Sequence, residues 1–126
     1  MARTRHFRDL IVWQKAMQLA RDVYSATRAF PREEIFGLTS QMRRAAVSIP
    51  SNIAEGHGRL SDPGLRTFLA QARGSLFELE TQIDLARDVG YFDARAAKGL
   101  CEECEEVARL LNGLIAAING NTQGQG

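Results

Sequence analysis

Apolar residues recur every three or four positions along four segments of the chain, which is the pattern of amphipathic α-helices. The first segment runs from about residue 8 to residue 29, and we expect its core stripe to be Leu10, Trp13, Met17, Ala20 and Tyr24. Phe30 and Pro31 end it, because the residue before a proline disfavours the α region. In the longer link that follows, Phe36 is expected to pack back onto the helices.

The second segment, from about residue 37 to residue 55, is apolar on two sides. Its main stripe is Leu38, Met42, Ala45, Ile49 and Ile53. Val47, Pro50 and Ala54 lie about 120° around the helix from that stripe. A narrow polar strip fills the gap and consists of Gln41, Arg44, Ser48, Asn52 and Glu55. A helix that is apolar on two sides needs two partners. One is the protein's own core, and the other could be a neighbouring subunit.

The third and fourth segments have clear beginnings. Ser61 or Asp62 can cap the third, with Pro63 in its first turn, and Asp93 can cap the fourth. The third stripe is Leu65, Leu69, Ala72, Leu76, Leu79, Ile83 and Ala86, and Gly90 follows it. The fourth stripe is Leu100, Cys104, Val107, Leu111, Leu114 and Ile118. The polar residues after it predict a disordered tail.

Four helical segments without a strand pattern predict an all-α fold, an antiparallel up-and-down four-helix bundle. The chain has 126 residues, so a single domain is expected. Two of the links are short, which favours antiparallel neighbours. We therefore divide the chain into a basic N-terminal arm (1–7), the bundle (8–118) and a disordered tail (119–126).

Charge is distributed unevenly along the chain, although the net charge is only +1. Residues 1–73 carry 12 basic and 6 acidic side chains, and the rest of the chain carries 4 basic and 9 acidic ones. Halves of opposite sign suit self-association through complementary faces, and a basic half also suits nucleic acid.

No set of side chains forms a recognisable catalytic or metal-binding constellation. Cys101 and Cys104 form a C-x-x-C pair, but they lie within a helix beside four glutamates, which disfavours a thiolate, and no second such pair exists for zinc. We expect Cys104 to pack in the core. His6 and His57 lack a nucleophile at a recognisable spacing. We therefore expect no enzyme activity, catalytic residue, cofactor or metal.

Five arginines are candidates for nucleic-acid contacts: Arg43, Arg44, Arg59, Arg66 and Arg73. Exposed arginines neutralise phosphates, which makes such binding sensitive to salt. Arginines that flank an apolar helix stripe equally form ion pairs between helices or subunits. Both interpretations stay open at this point.

Several motifs resemble those of a known bacterial family. They are FGLTSQMRRAAVSIPSNIAEG (36–56), LIVWQKA (10–16), FLAQARGSLFELE (68–80) and Gly90-Tyr91. Over about residues 7 to 118, the chain resembles the four-helix proteins encoded in, or related to those encoded in, 23S rRNA intervening sequences. The resemblance implies an antiparallel bundle in a ring-forming homo-oligomer, a homopentamer, without established enzymatic activity. It suggests RNA as a partner.

The accessory protein of diversity-generating retroelements is a more distant relative. It forms a basic pentameric ring that binds nucleic acid and a reverse transcriptase. That resemblance suggests a nucleic-acid-processing protein as a partner. The net charge of +1 departs from its strongly basic pattern.

Together these features predict a non-enzymatic, oligomeric interaction module with RNA as a candidate partner. The alternative is a protein-binding scaffold without a nucleic-acid role. The polar strip of Gln41, Arg44, Ser48, Asn52 and Glu55 is expected to form a hydrogen-bonded network at a subunit contact or facing a ring channel. A cytoplasmic location without membrane association is expected, since no apolar stretch approaches the ~18 residues of a membrane span.

Overall fold

Four α-helices make up most of residues 6–124, the part of the chain that this computed structural model describes, and that part contains no strand. The helices are α1 (Ile11–Thr27), α2 (Leu38–His57), α3 (Asp62–Asp88) and α4 (Ala94–Gly124). Short 3-10 turns occupy Phe7–Asp9 and Arg32–Glu34. The all-α prediction is therefore correct for the described residues.

The helices pack around one apolar core. α1 and α3 each contact both α2 and α4. The predicted core stripes of α2, α3 and α4 are confirmed except at Leu65 and Leu114, which are half-buried. The fully buried members include Met42, Ile49, Leu76, Leu79 and Leu111. Burial of such side chains contributes about 1.5–3 kcal/mol each. α2 continues without a break through Pro50.

The predicted core stripe of α1 is wrong for most of its residues. The buried face of this helix consists of Val12, Ala16, Leu19, Ala20, Val23 and Thr27. Tyr24 is 42% exposed, and Trp13 and Met17 are half-buried. α1 carries two apolar stripes, and the one with the smaller residues faces the core. The bulkier stripe is left at the surface.

The predicted helix caps are confirmed. The backbone N–H of Gly64 donates to Ser61 Oγ (3.2 Å), and the N–H of Ala96 donates to Asp93 Oδ1 (2.8 Å). Each bond satisfies a donor that the first turn of a helix leaves unpaired. Gly90 has a φ of 81°, which glycine adopts without strain, so the chain can turn between α3 and α4.

The link between α1 and α2 is tied to the turn between α3 and α4. Phe30 is buried and its ring lies 5.3 Å from that of Tyr91. The Tyr91 hydroxyl donates to Glu34 Oε2 (2.6 Å), and Glu34 Oε1 accepts from the backbone N–H of Leu38 (3.0 Å). Phe36 is 94% exposed, so the expectation that it packs onto the bundle is wrong. Phe30 takes that role, because it leaves α1 directly over the core.

The division of the chain into arm, bundle and tail stays a prediction. α4 runs on to Gly124, beyond the limit of residue 118 that the sequence suggested for the bundle. No proline interrupts α4, and extending a helix requires the ordering of only one residue per added hydrogen bond. In the N-terminal arm, residues 1–5 lie outside the described part of the chain. None of the described helices is long and apolar enough to cross a membrane.

Candidate functional site

An open, mostly apolar groove of about 710 Å3 lies between α1 and α2. One wall carries Trp13, Met17, Ala20 and Tyr24 of α1, together with Phe7 from the turn before it. The other wall carries Val47, Pro50 and Ala54, the second apolar side of α2. The sequence prediction of a two-sided α2 is therefore confirmed, and within the described chain this second side faces an open groove.

The groove has a cationic rim. Arg8, Arg21 and Arg28 line it, and no acidic residue is among its described lining. Arg21 donates to Gln18 Oε1 (3.2 Å), and the Arg8 guanidinium lies 4.7 Å from the centre of the Phe7 ring. An apolar channel with a positive rim fits an apolar partner that carries negative charge at its edges.

The predicted polar strip of α2 lies on the opposite flank of that helix, at the seam with α3. Ser48 Oγ and Ser75 Oγ are 2.8 Å apart. Asn52 Nδ2 donates to the backbone carbonyl of Ser48 (2.8 Å) and to its hydroxyl (3.0 Å). These three side chains form a hydrogen-bonded network within one chain.

The remaining residues of the strip are exposed. Gln41 and Arg44 line a polar depression of about 350 Å3 together with Ser48, Ser75 and Glu78. Arg44 makes no hydrogen bond or ion pair with the described part of the chain. Glu55, at the other end of the strip, forms an ion pair with Arg59 (3.6 Å). Arg44 is therefore the member of the strip with its charge available for an external partner.

The structure does not bring the five candidate arginines into one patch. Arg43 points towards α1, where its Nε donates to Thr27 Oγ1 (2.9 Å) and its guanidinium lies 4.7 Å from the centre of the Tyr24 ring. Arg44, the next residue, lies at the α2–α3 seam. Neighbouring residues on a helix are about 100° apart, so the pair Arg43–Arg44 cannot present both charges to one ligand surface.

The other three candidate arginines lie on or beside α3. The Arg59 guanidinium stacks over the Phe68 ring at 4.5 Å. Arg66 is half-buried in the second turn of α3. Arg73 points towards α4, where it donates to Asn112 Oδ1 (3.2 Å). The contacts of Arg59 and Arg73 support the interpretation of flanking arginines as interhelical contacts.

The two cysteines have the environment of core residues. Cys104 is fully buried and Cys101 is half-buried. Burial is the main cause that raises the pKa of both thiols, and nearby carboxylates raise it further. Both effects disfavour the thiolate that redox or metal chemistry requires. In the described residues, no cluster of three or more histidines, cysteines or carboxylates could hold a metal ion.

A pair of carboxyl groups lies between α1 and α4. Burial, the hydrogen bond to Asp22 and the charge of Asp22 raise the pKa of Glu103 to about 8. Lys15 and Glu106 form an ion pair beside it (3.3 Å). These effects favour the protonated form of the Glu103 carboxyl, which can donate a hydrogen bond to Asp22. This pair couples the stability of the α1–α4 contact to pH.

The α1 wall of the groove is the part of the surface that sequence reasoning missed. Trp13, Met17 and Tyr24 are large and apolar and have helical spacing, so the sequence predicts that they lie in the core. The signal that could have revealed this wall is the second stripe of α1, in which Val12, Ala16 and Leu19 are followed by Val23. The presence of two complete stripes on one helix indicates a second packing surface.

Comparison with known proteins extends over most of the chain. A crystal structure of a protein of unknown function from the S23 ribosomal protein family of Bacteroides thetaiotaomicron has the same fold, with a TM-score of 0.77 and 22% sequence identity. The match covers 84% of this chain and 96% of the other. No curated protein matches the chain. The family model described as 23S rRNA-intervening sequence protein matches residues 8–113, and the chain belongs to that family.

Proposed function

We propose that this protein is a non-enzymatic interaction module, an antiparallel up-and-down bundle whose copies assemble into a ring. The groove between α1 and α2 is the observation that carries the proposal. The Ser48–Ser75 contact and the approach of Gly56 to Phe68 support antiparallel neighbours, since rising positions on α2 meet falling positions on α3.

In a monomer, the apolar side chains of the groove are exposed to water, and this exposure does not stabilise the fold. Val47 and Tyr24 are each 42% exposed, and half-buried Trp13 and Met17 line the same groove. A contiguous apolar surface of this kind marks a protein contact. Covering it stabilises the complex by about 25 cal/mol for each Å2 of apolar surface removed from water. A second copy of the chain is always present in solution to provide that cover.

RNA is the second candidate, and a specific observation favours it. The aromatic rings of Trp13 and Tyr24 lie in the groove beside Arg21 and Arg28, a combination that stacks bases and holds phosphates. Arg44 adds an exposed cation on the other flank of α2. A scaffold that binds other proteins is the remaining alternative, and it requires none of these three arginines.

Light-scattering mass of the purified protein separates these functions. A ring predicts a mass several times the 14.0 kDa of the chain, and five times that value for the homopentamer that the family resemblance implies. RNA binding predicts a further mass gain with total RNA at low salt that disappears at high salt. A mass of 14.0 kDa at all protein concentrations would contradict the proposed assembly.

Two variants test the role of the polar strip in the same experiment. If the strip lies at a subunit contact, Arg44→Ala lowers the mass of the assembly. If Arg44 contacts phosphates, the variant keeps the mass of the assembly and loses RNA affinity. Arg95→Ala removes an exposed arginine from α4 and serves as the matched control. If Arg44→Ala and Arg95→Ala change the assembly mass and the RNA affinity equally, Arg44 has no special role in the subunit contact or in phosphate binding.

A further inference from the structure

The outer face of α3 carries a stripe of exposed residues in addition to its buried core stripe. Ala70, Gly74, Phe77 and Thr81 follow one another at steps of three and four residues, and all are exposed. Phe77 is 52% exposed and Leu85, two turns later, is 51% exposed. An aromatic and an aliphatic side chain on one exposed helix face, preceded by small residues, form a surface shaped to enter a groove.

The C-terminal half of this stripe is flanked by acidic side chains. Asp84 and Asp88 are both exposed and lie on the same face of α3 as Phe77. Arg87 forms ion pairs with Asp84 (3.7 Å) and Asp88 (3.2 Å) but neutralises only one of the two charges. The face from Phe77 to Asp88 therefore combines apolar residues with a net negative charge near its C-terminal end.

The groove between α1 and α2 has the complementary properties. Its floor is apolar and Arg21 and Arg28 stand on its rim. Leu85 lies about 12 Å along α3 from Phe77, and the α1 residues that line the groove run from Trp13 to Arg28, about 22 Å along that helix. The apolar residues of the α3 face therefore fit within the length of the groove, with the acidic C-terminal end of the face beside the cationic rim.

We propose that the α3 face of one copy, defined by Phe77, Asp84, Leu85 and Asp88, docks in the α1–α2 groove of the next copy. This inference rests on the proposed self-assembly and names the two surfaces that meet. The groove and the α3 face are different surfaces of one chain, so the contact is heterologous. Each copy then uses both surfaces, and repetition closes into a ring if the rotation between copies allows it.

Two single substitutions block one surface each. Val47→Arg places a charge in the groove, and Phe77→Arg places one on the α3 face. Both positions are substantially exposed in the chain, so neither substitution has to disturb the core. Each variant alone is expected to lose the ring and to have the mass of a monomer by light scattering.

Mixing the two variants provides the decisive measurement. The Val47→Arg copy keeps its α3 face, and the Phe77→Arg copy keeps its groove. A heterologous contact therefore predicts a one-to-one dimer in the mixture, with no larger species, because the remaining two surfaces are both blocked. A symmetric groove-to-groove contact predicts instead that Phe77→Arg copies pair with one another, alone and in the mixture, while Val47→Arg copies stay monomeric. That result overturns the proposal.

Charge reversal tests the pairing of the edges. Arg28→Asp and Asp88→Arg are each expected to weaken assembly at least tenfold at low salt, and a chain with both changes is expected to recover most of the wild-type affinity. Failure of the double variant to recover, with the single variants folded, contradicts the pairing of these two edges.

A matched control separates loss of contact from loss of folding. Ile11→Arg introduces the same charge at a position that is 62% exposed and lies on the α4 side of α1. It should keep the wild-type mass, and circular dichroism should show equal helix content in all variants. If both blocked variants keep the wild-type mass, the docking proposal fails while assembly stands. A monomeric wild type overturns the proposed assembly itself.

Discussion

The tight contact between α2 and α3 at Gly56 predicts that a glycine-to-alanine substitution there is destabilising. Gly56 is buried in the last turns of α2. A Cβ added there would lie 2.9 Å from Phe68 Cβ and 3.2 Å from Leu65 Cδ1. The Leu65 methyl can move by a small rotation, but Phe68 Cβ is attached directly to the α3 backbone. Gly56→Ala therefore requires the two helices to separate.

The magnitude follows from two opposing effects. Replacing glycine by alanine inside a helix favours folding by up to about 1 kcal/mol. Forcing an extra methyl group into a packed contact costs about 1–3 kcal/mol. A separation of several tenths of an ångström along this contact places the cost in the upper part of that range. We expect Gly56→Ala to destabilise the protein by about 1 kcal/mol.

A matched control isolates the packing effect. Gly99 is exposed within α4, and a Cβ there meets nothing within 4 Å. Gly99→Ala should therefore stabilise the protein by about 0.5–1 kcal/mol. Urea unfolding followed by circular dichroism measures both variants, at one protein concentration because assembly affects stability. A Gly56→Ala variant as stable as Gly99→Ala would refute the argument that α2 and α3 are held at a fixed distance.

Three further predictions follow from buried or bonded side chains. Glu103→Gln should stabilise the protein by about 1 kcal/mol at pH 9, a value reduced for the partial access of water to the Asp22 contact. Because folding raises the pKa of Glu103 to about 8, wild-type stability falls as the pH rises from the unfolded-state pKa towards that value, and the variant should gain little below pH 4. Tyr91→Phe should raise the pKa of Glu34 towards its ordinary value in an NMR titration, since the Tyr91 hydroxyl bond is the largest cause that lowers it. In a Cys101→Ser variant, Cys104 should react with iodoacetamide only after denaturant is added, because it is fully buried.

Each of these predictions has a contradicting result. An equal gain from Glu102→Gln, at an exposed position on the same helix, would assign the Glu103 effect to general charge reduction. An unchanged Glu34 titration in Tyr91→Phe would mean that the bond to the Leu38 backbone alone lowers the pKa. Rapid alkylation of Cys104 in native conditions would show that α4 opens far more often than the rest of the core.

The helices and their caps could be predicted from local sequence. The buried stripes of α2, α3 and α4, the caps at Ser61 and Asp93, and the turn at Gly90 are all observed. The caps and the turn depend on interactions between residues a few positions apart, and the buried stripes depend on one strong apolar repeat. Both kinds of signal are visible in the sequence. The second apolar side of α2 was visible for the same reason.

The choice between two stripes on α1 could not be made from the pattern. Trp13, Met17 and Tyr24 have the period of a core face, and so do the smaller Val12, Ala16 and Leu19. The core takes the smaller set, and that choice depends on how α2 and α4 pack against α1. The contacts of Arg43 and Arg73 were equally beyond prediction, since their partners lie on other helices.

The sequence by itself determined the number of helices, most of their core faces and the two-sided character of α2, because periodicity and capping are local properties. Tertiary structure decided which α1 stripe is buried, where the second side of α2 opens and which arginines stay available. Those outcomes depend on the distances between helices that are far apart in the chain. A one-dimensional pattern specifies that a face must be covered, whereas packing decides what covers it.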